Sequence, residues 1–163
     1  MVDVPLVDSV DLAGFRGAPF SPAVVDSAAE SIRTECGWHV APEATETVRL
    51  RGGGPTLLLP SLRVTAVASV VDGDGVAVTG WEWFESGVLE RPGGFPRVVV
   101  VTFTHGYSRC PRELLSVIAE RASSQASGRI KSEALAGRSV SLEGGYDPTT
   151  NLLVARYTVN RGA

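Results

Sequence analysis

The sequence predicts an α+β domain: a small helical core of two main helices, a β-rich antiparallel insertion between them, and an extended C-terminal tail. Three observations carry this reading. Apolar residues recur at spacings of three and four over residues 22–36 and again over 111–127. Between them, over 45–107, the period drops to two and β-branched residues dominate. Short Gly- and Pro-rich segments punctuate that middle block at the intervals expected of turns between strands.

In the first helix Ser21 stands at the N-cap and Pro22 at the first helical position, where its missing N–H costs nothing. Val25, Ala28, Ala29, Ile32 and Cys36 form the apolar stripe, and Gly37 supplies the left-handed residue that ends it. Strand candidates follow in "TETVRL", "PTLLLP", "RVTAVASVV", "VAVTGWEWF", "GVLERP" and "RVVVVTFTHGY". They are separated by "RGGGP", "DGDG" and "PGGFP", and the "DGDG" is a strong hairpin signal. One antiparallel sheet of about five or six strands is expected. Pro111 opens the second helix, with Leu114, Leu115, Val117, Ile118 and Ala122 facing inward. Beyond it, Ser139–Leu142 reads as an isolated strand, and Asp147 with Pro148 opens a short final helix. The chain therefore divides into residues 1–137 and a tail, 138–163, with too little apolar surface to fold alone.

Composition narrows the function. The chain is 44% hydrophobic and 20% charged, which fits a soluble globular protein and not a disordered one. Its N-terminus carries Asp where a signal peptide needs Lys or Arg, and no apolar run approaches the length of a membrane span, so folding inside the cell is expected. The net charge of −3 argues against tight nucleic-acid binding, which rests on Lys and Arg neutralising phosphates. Residues 1–108 hold 7 basic and 13 acidic side chains, whereas residues 109–163 hold 8 and 5. Such asymmetry suits self-assembly or a protein partner, and uneven decoration of a solvated surface accounts for it equally well.

Four chemistries are open to these residues. Cys36, His39, His105 and Cys110 are the side-chain inventory of a structural zinc site, but the two pairs lie 65 residues apart and do not follow zinc-finger spacing. The alternative is that Cys36 and Trp38 are core and the histidines are boundary residues with satisfied nitrogens. The "GRSVS" at 137–141 lacks the final Gly of a nucleophile elbow, and "RGGGP" lacks the Lys-Ser/Thr of a phosphate loop. Trp81 and Trp83, flanked by Glu82 and Glu85, would suit a sugar-binding surface, although core packing is the safer assignment for Trp. No catalytic constellation emerges, so no enzyme activity, cofactor or resident metal is expected.

The chain resembles the head-to-tail connector, or adaptor and head-completion, proteins of long-tailed bacteriophages. Four stretches carry the resemblance in order: the first helix running into "CGWHVAP"; "TLLLPSLRVTAVASV"; "VTFTHGYSRCPRELLSVIAERAS"; and "IKSEALAGRSVSL" followed by "LLVARYTVNRG". The resemblance implies a structural virion protein at the capsid vertex, where the head meets the tail, assembled as a ring of about twelve copies, a closed heterologous assembly. It further implies docking on the portal after DNA packaging, a platform for the next connector, stopper or tail protein, and double-stranded DNA passing through the channel without specific binding. No membrane is involved. Within that frame Arg138, Val140, Leu142, Arg156 and Tyr157 are the candidate portal or intersubunit contacts, because Arg and apolar side chains suit interface anchors. Trp38, Ile32, Leu114, Leu115 and Ile118 are the candidate structural core.

Overall fold

A computed structural model describes residues 5–128 and 148–159. Its elements run α1 (Pro22–Cys36), β1 (Ala44–Arg51), β2 (Thr56–Leu58), β3 (Val64–Asp72), β4 (Glu82–Trp83), β5 (Val88–Glu90), β6 (Val98–His105), α2 (Arg112–Gly128) and α3 (Pro148–Ala155). The fold is α+β, with the strands inserted between α1 and α2. The expected strand at Ser139–Leu142 and the residue Asp147 lie outside the described residues. The chain divides into two compact units, one containing Cys36–Arg109 and Tyr157–Val159, the other Pro5–Glu35 together with Cys110–Arg156.

The first unit is the β-rich one, and its six strands form two three-stranded antiparallel sheets, β1-β6-β3 and β2-β5-β4, instead of the single sheet expected. The reason lies in the two Gly- and Pro-rich turns. The β1–β6 ladder ends at the Arg51–Val98 pair, and the β2–β5 ladder begins at the Thr56–Glu90 pair. Between them Gly52 N–H donates to Arg97 O and Gly53 N–H to Phe95 O, while Pro55, Pro92 and Pro96 have no N–H to continue a regular ladder. Gly52 is required there because a Cβ at that position would collide with the Pro96 carbonyl oxygen. The same ribbon thus leaves one sheet and enters the other.

On the larger sheet the inward rows are Ala44–His105–Val64, Glu46–Phe103–Val67 and Val48–Val101–Val70. The inward residues of β3 therefore fall at spacings of three, because register shifts between Val64 and Ala66 and between Val67 and Ser69 each add a residue. Strict alternation over "RVTAVASVV" does not hold for this reason. The small sheet turns its Leu57–Leu89–Trp83 row inward, and one apolar cluster joins it to Val64, Val70, Val99, Val101 and Phe103 of the larger sheet. The "DGDG" segment makes the expected hairpin: the Asp72 carboxylate accepts from Asp74 N–H and Val76 N–H, each at 2.9 Å, and Val78 N–H returns to Val70 O.

The second unit is helical. The Ser21 carbonyl accepts from Val24 and Val25 N–H, so Ser21 caps α1 as expected, and Gly37 follows its last residue at φ +75. Pro111 plays the corresponding role for α2, one position before the helix begins, because its carbonyl accepts from Leu114 and Leu115 N–H. Val25, Ala28, Ala29, Ile32, Leu114, Val117, Ile118 and Ala122 are buried, whereas Leu115 is half-buried at the margin of the stripe. Leu6, Val7, Leu12 and Phe20, from the segment preceding α1, are buried in the same unit. Arg121 of α2 reaches Glu35 of α1 with two bonds of 2.6 and 2.7 Å and Ser31 Oγ with one of 2.9 Å. The forked guanidinium thus ties α2 to two residues of α1 one turn apart.

Candidate functional site

The corner that follows α1 brings together Cys36, Trp38 and both histidines. Trp38 is 5% exposed, and its indole N–H donates to the Tyr157 carbonyl at 2.6 Å. Val159 N–H donates to the Cys36 carbonyl at 2.9 Å, so two bonds fasten the segment after α3 to the residues flanking Gly37. Tyr107, just past β6, stands edge-on to Tyr157 at 6.0 Å between centroids and carries the Arg63 guanidinium 5.0 Å above its ring. Trp38 therefore packs against the end of β6 and the C-terminal segment, at 6.2 Å from His105 and 6.3 Å from Tyr107 between ring centroids.

The two histidines meet here, although 65 residues separate them in sequence. Their rings lie 5.7 Å apart, and both side chains are buried. His39 Nε2–H donates to the Pro42 carbonyl. His105 sits on the inward face of β6 against Phe103, with the Glu46 carboxylate 3.4 Å from its Nε2. Burial holds the His105 pKa below the ordinary imidazole value; Glu46 pulls it up and His39 pushes it down, and burial is the largest influence. A neutral imidazole wedged among aromatic rings fills the corner without importing a charge.

Cys36 is buried at the end of α1 and Cys110 is half-buried. Among the described residues no group of three or more His, Cys, Asp or Glu side chains is disposed to hold a metal ion. Trp81 and Trp83 are half-buried against the β core, and Trp81 N–H donates to Val78 O at 2.7 Å, so the two indoles do not form an open platform for a sugar. Glu82 and Glu85 are exposed. Of the candidate contact residues, Arg156 is exposed at the end of α3 and Tyr157 is half-buried against Tyr107; Arg138, Val140 and Leu142 lie outside the described residues. No described helix is long and apolar enough to cross a membrane.

The arrangement is that of a chain whose polar and aromatic side chains lock segments together: an α+β scaffold with an inserted pair of small sheets and a C-terminal segment pinned beside them. No protein-family model and no curated protein matches the sequence. Among solved structures, the fold is similar to a chain in the neck of an empty GTA particle, computed with C6 symmetry, with a TM-score of 0.64 and 17% identity. The superposition covers 100% of this chain and 95% of that one.

Proposed function

We propose that this protein is a structural subunit of a virion neck, a head-to-tail connector that assembles as a ring on the portal after DNA packaging and offers a platform to the next connector, stopper or tail protein. The observation that carries the reading is the whole-length likeness to a particle-neck chain, which spans the helical unit, the sheet insertion and the C-terminal segment alike. A sixfold-symmetric neck accommodates a subunit in copies of six or a multiple of six, and the expected ring of about twelve meets that condition. The order of motifs along the sequence supports the same family independently of the backbone.

On this reading the protein has no catalytic task. Its buried polar groups brace helices or turns, as Arg121 does between α1 and α2. The acidic balance of residues 1–108 keeps passing DNA from adhering, since sequence-independent attraction to phosphate requires basic residues. Arg156, exposed at the end of α3, is a candidate portal contact together with the tail residues Arg138, Val140 and Leu142.

The test is the composition of particles. Mass spectrometry and cryo-electron microscopy of purified virions should find the chain at the head-to-tail junction in a ring, and particles made without it should be heads lacking tails. Its absence from mature particles, or tailed and infectious particles formed without it, would refute the reading. Charge reversal Arg156→Glu should weaken attachment to isolated portal in a pull-down while leaving the melting temperature unchanged.

A further inference from the structure

Two surfaces of the β-rich unit have complementary chemistry. The small sheet presents its outer face in two rows. In one, Leu58 and Val88 are paired across strands, and Phe84 N–H bonds to Val88 O, which brings Phe84 into the same row. Directly opposed residues of antiparallel strands point to the same side, so Leu58, Val88 and Phe84 share the outer face. Leu58 is 67% and Phe84 47% exposed on either side of Val88, an unusual state for large apolar side chains sharing one row. In the adjoining row Glu82 is paired with Glu90, next to Thr56, and Glu85 is exposed in the turn beyond Phe84. Two like charges placed directly opposite each other oppose pairing in an isolated chain.

The second surface is the reverse. Where β1 and β6 leave the larger sheet, a shallow concavity is bordered by Arg49, Arg51 and Arg97, with Val98 paired to Arg51 on the outward face and Leu50 turned towards the core beneath. The three arginines are exposed, and like the three glutamates they make no ion pair among the described residues. One surface is thus an apolar ridge rimmed by acid, the other a basic hollow with Val98 in it.

We infer that these surfaces meet between copies of this chain, the Leu58–Val88–Phe84 ridge of one subunit seating in the Arg49–Arg51–Arg97 concavity of the next. Both surfaces lie on a single chain and differ from each other, so the contact is heterologous, the kind that closes into a ring when the rotation permits. The glutamate pair that repels in the free subunit is neutralised by arginine, and arginine's forked donors suit bidentate carboxylate recognition. The inference rests on the ring reading above and specifies which residues would form the subunit contact.

Charge reversal tests it. Sedimentation at low ionic strength, where screening is weak, should show concentration-dependent association of the wild-type chain. Glu82→Arg with Glu90→Arg, or Arg49→Glu with Arg97→Glu, should each weaken association at least about tenfold, equivalent to about 1.4 kcal/mol. The chain carrying all four changes should recover it, as should an equimolar mixture of the two reversed chains, since each restores opposite charge at the contact. Association unaffected by reversal, a fourfold variant that stays dissociated, or a wild-type chain that remains monomeric at its solubility limit would overturn the pairing. Should a reversed chain melt early, Phe84→Ser with Leu58→Ser, which removes the two exposed side chains of the ridge without altering charge, is expected to weaken association by a similar factor, and unchanged association would again overturn the pairing. Particle inclusion separates the two levels: a variant that enters rings in virions as well as wild type refutes the pairing and leaves the neck reading standing, whereas a wild type missing from virions refutes the neck reading.

Discussion

Replacing Trp38 by alanine removes the largest side chain of the corner between α1 and β1. A buried indole withdraws on the order of 200 Å² from water, and at about 25 cal/mol per Å² this is about 5 kcal/mol as an upper bound. Alanine retains a small part, and the surrounding rings of His105 and Tyr107 can partly collapse into the space. The Tyr157 carbonyl loses its indole donor, but Tyr157 is half-buried and water can replace that bond. The expected loss is about 4 kcal/mol, within the range for truncating buried aromatics, which corresponds to a fall in Tm of about 8 to 16 °C for a chain of this size. Trp38→Phe keeps most of the area and loses the donor, so about 2 kcal/mol is expected. Urea unfolding followed by circular dichroism gives both values, and limited proteolysis reads the second consequence: the Tyr157–Val159 segment should become cleavable in Trp38→Ala. A loss below about 1 kcal/mol, or a Trp38→Phe variant as damaged as Trp38→Ala, would refute the assignment of Trp38 as the clamp on that segment.

Two further outcomes follow from buried polar groups. Arg121 is 8% exposed, whereas its partner Glu35 has a side chain 43% exposed. Solvent therefore screens one end, so Glu35→Gln should cost about 1 to 2 kcal/mol in chemical denaturation, less than the 3 to 5 of a fully buried pair. Arg121→Met should cost no more than Glu35→Gln, because it leaves no buried charge behind; a larger loss would mean that the guanidinium itself provides the stabilisation. His105 has its pKa held below the ordinary value by burial. Between that lowered value and about 6.5 the unfolded chain binds a proton that the folded chain does not. Stability is then full above about pH 6.5 and declines as the pH falls towards the folded-state value. His105→Phe should flatten that part of the stability profile; an unchanged profile would assign the dependence elsewhere.

Legibility differed with the length scale of the signal. The bounds of α1 over 22–36 were readable because the N-cap Ser21, the stripe and the terminating Gly37 are local and mutually consistent. The hairpin at "DGDG" was readable for the same reason, since Asp72 bonds to its own turn. Leu115 was harder to place, because a residue at the margin of a helical stripe is half-buried according to what faces it. The candidate site was only partly legible. Trp38 was identifiable as a buried anchor, but its partners Tyr107 and Tyr157 were not, nor was the meeting of His39 with His105.

From the sequence alone came the α+β class, the order of helix, strands and helix, and the hairpin, because each depends on periodicity, turn chemistry or spacing within a few residues. Tertiary structure decided what depends on distant pairing. The glycines and prolines at 52–55 and 92–96 divide the strands between two sheets only because the two segments lie opposite each other. The register shifts in β3 convert an alternating strand into one with an inward residue at every third position. The exposed ridge of Leu58, Val88 and Phe84 exists because cross-strand registration aligns one residue each from β2 and β5 with the residue just past β4, an arrangement that hydrophobicity along a single strand does not encode.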